Sequence, residues 1–171
     1  MEEKLTVKQL GLKYGIYLAL VSIIYSLILQ IFGLAANRAL GYIGFVFLII
    51  ALVLAHRDFK RSNEFMSYSQ GLGISMIIVT ISTVLGSIFS YIYIKFVDDS
   101  ILDQIKEQTI ESLESRGLSD AQIEQTLEIQ SKFSSPEMIL VFGLIAGIIF
   151  GFIISLIVTA ITKKSNPELQ S

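Results

Sequence analysis

The chain has 171 residues, of which 53% are hydrophobic and 16% charged, with a mean hydropathy of +0.67 and a formal net charge of −2. A soluble domain carries about 25% charged residues, so the composition predicts an integral membrane protein, and the weak net charge excludes a chain-wide basic footprint for nucleic acid. With no cysteine and a single histidine, His56, disulfide scaffolds, zinc fingers, iron–sulfur clusters, thiol catalysis and multi-histidine metal sites are all excluded.

Four charge-free stretches follow in chain order: Tyr14 to Asn37, Ala39 to Ala55, Phe65 to Ile94, and Met138 to Thr162. A helix needs about 20 apolar residues to cross about 30 Å of hydrocarbon. The first, third and fourth stretches are long enough. The second has 17 residues and reaches only about 26 Å at about 1.5 Å per residue. It is expected to borrow length from Ala35, Ala36 and Asn37, or to thin the bilayer locally. The fold expected is therefore all-α, a single membrane domain forming a four-helix bundle with spans at about 14–36, 38–56, 70–95 and 137–162. Lys4, Lys8 and Lys13 ahead of the first stretch imitate a signal-peptide n-region, but the apolar run is too long for one, which argues for a retained span.

Between the third and fourth spans lies the one substantial polar segment, residues 98–135. It carries nine carboxylates against three cations, a local charge of −6. Its spacing is helical: Leu102, Ile105, Thr109 and Leu113 share a face, and Ser100 with Asp103 resembles a capping box. Gly117 stands where a helix ends, Ser119 with Gln122 opens a second helix, and Ser135-Pro136 reads as N-cap and first residue of the last span. An acidic helical hairpin is expected there.

Eight of the thirteen Lys and Arg fall at the N-terminus (Lys4, Lys8, Lys13), in the second loop (Arg57, Lys60, Arg61) and at the C-terminus (Lys163, Lys164). The positive-inside rule then puts both termini in the cytoplasm and the hairpin outside, with the chain multi-pass in the cytoplasmic (inner) membrane. His56 is grouped with these flanking charges, which either fix topology, the preferred reading, or bind anionic lipid head groups.

Two patterns stand out as candidate sites. A small residue recurs every four positions in the fourth span: Gly143, Gly147, Gly151, Ser155 and Thr159. Small residues let two helix backbones approach closely in lipid, so this stripe packs either against another span of the chain, which is favoured, or against a second copy. Shorter stripes occur at Gly11, Gly15 and Ala19 and at Ser82, Gly86 and Ser90. The second pattern is a polar face in the first span, Ser22, Ser26 and Gln30. It is either interhelical glue or the lining of a route for a small substrate, the former preferred.

No Asp, Glu, Lys, Arg or His lies at mid-span and no Gly/Pro break interrupts one, which argues against proton relays and common transporter designs. There is no G-x-S-x-G motif, no intramembrane aspartate pair and no EF-hand spacing among the loop carboxylates. No catalytic, metal or cofactor residue is expected. The chain reads as a non-enzymatic structural or interaction protein with the lipid bilayer and a protein partner or second copy as its contacts. A small-molecule carrier or channel subunit is the alternative.

Lys13-Tyr14-Gly15-Ile16 before the first span, Phe65-Met66-Ser67-Tyr68-Ser69-Gln70-Gly71 before the third, the short basic loop and the acidic segment together resemble a bacterial membrane-protein family. It is the family known as "domain of unknown function" 4199. The resemblance covers Thr6 to Lys164. It implies a four-span protein of the bacterial cytoplasmic membrane, and brings no activity and no ligand residues.

Overall fold

A computed structural model of the protein describes residues 4–164. Seven helices follow one another: α1 (Val7–Ile31), α2 (Arg38–Gly41), α3 (Ile43–Asn63), α4 (Tyr68–Phe96), α5 (Ser100–Ser115), α6 (Asp120–Ser131) and α7 (Pro136–Thr162). The fold is all-α. Four helical stretches, with α2 and α3 counted as one, are long and apolar enough to cross a membrane.

Capping chemistry sets the helix starts. Thr6 and Gln9 form a capping box that begins α1 a full turn and more before the charge-free stretch. Ser67 and Gln70 do the same for α4, and Gln122 accepts from the Ser119 backbone N–H at the start of α6. Ser135 caps α7, with Pro136 at its first position. At α5 the expected cap is displaced. Asp98, not Ser100, supplies the side-chain oxygen, accepting from the Ser100 N–H at 2.9 Å. Gly117, at φ +77°, takes the left-handed conformation that closes α5.

The second span gains its length differently from the expectation. Ala35 and Ala36 lie in a turn, and the helix instead runs through Arg57, Lys60 and Arg61 to Asn63. These long basic side chains can keep their stems along the bundle and their charges at its rim. The following turn is tight: Glu64 sits at φ +67°, and the Phe65 N–H reaches back to the Asn63 carbonyl at 2.8 Å. That is a γ-turn with positive φ, a strained form.

In the bundle α4 is central, flanked by α1 on one side and α7 on the other, while α3 lies between α1 and α7 and touches all three. The first loop and the α5–α6 hairpin are at one end. Residue 4, the α3–α4 turn and residue 164 are at the other, where Met66 and Lys164 exchange backbone hydrogen bonds of 2.8 and 3.0 Å.

Burial is lopsided. The contiguous core consists of Leu10, Leu18, Ala51, Leu52, Ala55, Phe59, Met66, Ile74, Ile78 and Val158, all in the half nearer the termini. Toward the hairpin end α4 and α7 separate. A Cβ built on Gly147 would stand 2.6 Å from Thr83 Cγ2, whereas one on Gly143, a turn nearer the hairpin, would meet only Ser87 Oγ at 3.7 Å. The bundle is tight below and open above.

Candidate functional site

The polar face of α1 divides into two parts. Gln30 Nε2 donates to Ser26 Oγ at 3.1 Å and to the Ser26 carbonyl at 3.3 Å, so these two residues satisfy one another along their own helix. Ser22 does something else. It lines a partly open cavity of about 330 Å³ between α1, α2, α3, α4 and α7 at mid-bundle. Ser82 and Thr83 of α4 share that lining, Gly41, Gly44, Gly147 and Gly151 expose backbone to it, and Leu18, Leu48 and Val79 border it toward the core. The walls are mainly apolar and carry no charged side chain.

The stripe on α7 is brought against α4. Gly147 meets Thr83, Gly151 meets Val79, and Ser155 and Thr159 are fully buried. Close approach requires glycine here, because a β-carbon at either position would collide with the facing side chain. Ser155 donates to the Gly151 carbonyl at 2.7 Å, the usual back-bond of a buried serine in a helix. Thr159 Oγ1 is buried with no partner among the described residues. The stripe on α4 is less used: a Cβ on Gly86 would meet nothing within 4 Å, and Ser82, Gly86 and Ser90 border an open groove of about 260 Å³ beside Gly143.

Sequence reasoning missed a polar layer at the termini end. His56 is completely buried and bridges three helices. Its Nδ1 lies 2.7 Å from Thr162 Oγ1 on α7, and its Nε2 lies 2.9 Å from both the Gly71 carbonyl oxygen and Ser75 Oγ on α4. Thr162 Oγ1 is also 2.7 Å from the Val158 carbonyl, and Lys60 Nζ donates to the Thr162 carbonyl at 2.8 Å. The grouping of His56 with exposed flanking charges therefore does not describe it. The available signal was its place at the boundary of an apolar stretch, one turn beyond Leu52 and one before Lys60. Nearby, Tyr14 donates to Asp58 Oδ2 at 2.7 Å and Lys13 Nζ stands 3.7 Å from the same oxygen, joining α1 to α3.

At the opposite end the hairpin is self-contained. Gln130 Nε2 donates to Thr109 Oγ1 at 3.3 Å, and Ile123 is its one buried apolar residue among those described. Helix α5 has no buried residue although it is amphipathic, and Ile105, Ile129 and Phe133 are exposed among the carboxylates. Lys95 donates to Glu137 Oε1 at 2.6 Å and to Tyr91 Oη at 2.7 Å, tying the end of α4 to the start of α7 beneath it. Arg38 of α2 and Glu111 of α5 both line an open pocket of about 380 Å³. Among the described residues no group of three or more His, Cys, Asp or Glu converges as a metal site.

Four apolar spans around a buried glycine-lined seam define a multi-pass, all-α membrane protein. Residues 13–164 match the family described as "Protein of unknown function (DUF4199)", and the chain belongs to that family. No curated protein and no solved structure matches it.

Proposed function

We propose that the protein is a non-enzymatic membrane component of the cytoplasmic membrane, with both termini in the cytoplasm, that engages a partner protein through its acidic hairpin on the outer side. One observation carries this reading. Helix α5 is amphipathic, yet none of its residues is buried. Two short helices with a single buried side chain bury little apolar surface of their own, so an apolar face of this kind is completed by a partner. The local charge of −6 selects a partner with a basic rim around an apolar centre. The non-enzymatic assignment is supported by the site chemistry: the single histidine faces hydroxyls and a carbonyl, with no nucleophile–base–carboxylate arrangement around it.

A second reading is a carrier or channel subunit, favoured by the Ser22–Ser82–Thr83 cavity. Photocrosslinking in native membranes separates the two. A photoreactive residue at Ile105 should capture a discrete protein that Ile129→Asp abolishes, while cavity-filling Gly44→Leu leaves the adduct intact. A diffuse set of adducts at Ile105, with small-molecule content altered by Gly44→Leu, would favour the carrier. In the same cells an impermeant thiol reagent should label Ser115→Cys and spare Lys163→Cys; the reverse pattern would invert the orientation.

A further inference from the structure

His56 is the one buried ionisable ring in the described bundle, and its three neighbours differ in what they can accept or give. The Gly71 carbonyl can only accept, so Nε2, 2.9 Å away, carries a proton. Thr162 Oγ1 is a hydroxyl and can donate, so Nδ1 can act as the acceptor at 2.7 Å. An uncharged imidazole protonated at Nε2 thus joins α3 to α4 and to α7 with every ring nitrogen satisfied. Ser75 Oγ shares the Nε2 side at 2.9 Å.

Adding a proton changes the balance. Nδ1 becomes a donor, and the Thr162 hydroxyl must turn its hydrogen toward the Val158 carbonyl, 2.7 Å away. That rotation is small, so hydrogen bonding alone does not prevent it. Charge does. On α3 the neighbouring ionisable group is Lys60, whose ammonium is already held at the Thr162 carbonyl. From Ser69 to Ser90, α4 presents none, and α7 presents none from Met138 to Thr162, with Lys163 and Lys164 just beyond. On the α1 side, Asp58 is engaged by Tyr14 and Lys13. The helix end that favours one cation, the carbonyl end of α7, is thus occupied by Lys60. A charged His56 would be a second cation in a buried layer that presents no carboxylate to the ring, the arrangement that costs most. The layer also holds Thr159 Oγ1, buried with no partner among the described residues; Thr159 packs so close to Gly71 that a Cβ there would stand 2.8 Å from Thr159 Cγ2. Water entering here would give that hydroxyl a partner as well as hydrating the imidazolium.

We propose that His56 is an acid-responsive latch: uncharged, it clamps α3 to α4 and α7 at the end of the bundle that carries the termini, and protonated, it releases them. The inference is independent of what the hairpin binds. It concerns the end of the molecule where the core is tight, on the termini side of the mid-bundle cavity lined by Ser22.

The test uses the full chain in lipid nanodiscs, with spin labels at Arg61→Cys and Lys163→Cys. Both positions are exposed, and the sequence contains no other cysteine. Between pH 8 and pH 5 the interlabel distance should lengthen by a few ångström in a one-proton transition, the open population changing about tenfold per pH unit on the flank. His56→Gln can donate to Gly71 and accept from Thr162 without titrating, so it should hold the short distance throughout. Should that variant fail to fold, the single histidine still reports alone: ¹⁵N-histidine spectra of the wild-type chain should show Nε2–H with an unprotonated Nδ1 at pH 8, and both nitrogens protonated over the same pH range as the distance change. A distance independent of pH, an equal change in His56→Gln, or ring titration without movement would each overturn the latch.

Discussion

Glycine 147 and glycine 86 are chemically identical residues on neighbouring helices, and the space around each makes them opposites. A methyl group at 147 would press on Thr83 at 2.6 Å; one at 86 would project into an open groove. Gly147→Ala should therefore cost about 1–3 kcal/mol by overpacking and lower the melting temperature of the solubilised protein. Gly86→Ala should raise stability by up to about 1 kcal/mol, because alanine is the better helix former and nothing opposes it. Equal melting temperatures for the two variants would contradict the α4–α7 seam. Glu64 poses the reverse problem, a non-glycine residue at φ +67° in a turn that only glycine adopts without penalty. Glu64→Gly removes strain of about 1–3 kcal/mol and concedes about 0.5–1 kcal/mol through the freer unfolded chain. A net rise in melting temperature is expected; a fall would mean that the Glu64 side chain contributes more than its backbone costs.

At the scale of elements, α7 and the hairpin are built on different physics. Helix α7 is apolar all round and gains its position from backbone proximity to α4, since burial of hydrocarbon gives little drive within lipid. The α5–α6 hairpin has caps, a left-handed Gly117 and a Gln130–Thr109 hydrogen bond, but Ile123 is its one buried apolar residue, with Leu102, Ile110, Leu113 and Leu127 half-buried. Its helices hold together as local structure and are joined to the bundle by the chain itself, while the Lys95–Glu137 pair beneath ties α4 to α7. That pair is half-exposed, and screening by water and salt keeps its contribution small. Replacing residues 98–134 by a short Gly/Ser linker should consequently leave the melting temperature of the four-span bundle within a few degrees of the parent. A drop of more than about 10 °C, as a loss of several kcal/mol would give, would show that the hairpin braces the spans.

For the whole molecule, the distribution of burial matters more than the number of helices. Every residue of the contiguous core lies in the half that carries the termini, and that half is further tied by His56, Lys60, Asn63 and the Met66–Lys164 bridge. The Ser22 cavity lies at mid-bundle where the core ends, and the other half holds the widening groove between α4 and α7. A bundle closed at one end and open at the other is where a change at the closed end alters the geometry of the whole, which is why the acid response proposed for His56 is testable by a distance rather than by stability alone.

The four spans were legible in the sequence because lipid imposes a simple demand: some twenty apolar residues without charge. The helix starts at Ser119 and Ser135 and the stop at Gly117 were legible because capping is local chemistry, settled within four residues. What the stripes meet is not local. Gly147 and Gly86 have the same spacing pattern, yet only the first faces a neighbour, because whether a small residue meets another helix depends on where the axes converge. Ser22, Ser26 and Gln30 read as one face, yet Gln30 turns back onto Ser26 while Ser22 alone reaches the cavity. His56 read as one more flanking charge, since periodicity cannot tell a ring at the rim from a ring beneath it. Only the convergence of α3, α4 and α7 brings Gly71, Ser75 and Thr162 around that imidazole, from positions 15, 19 and 106 residues away.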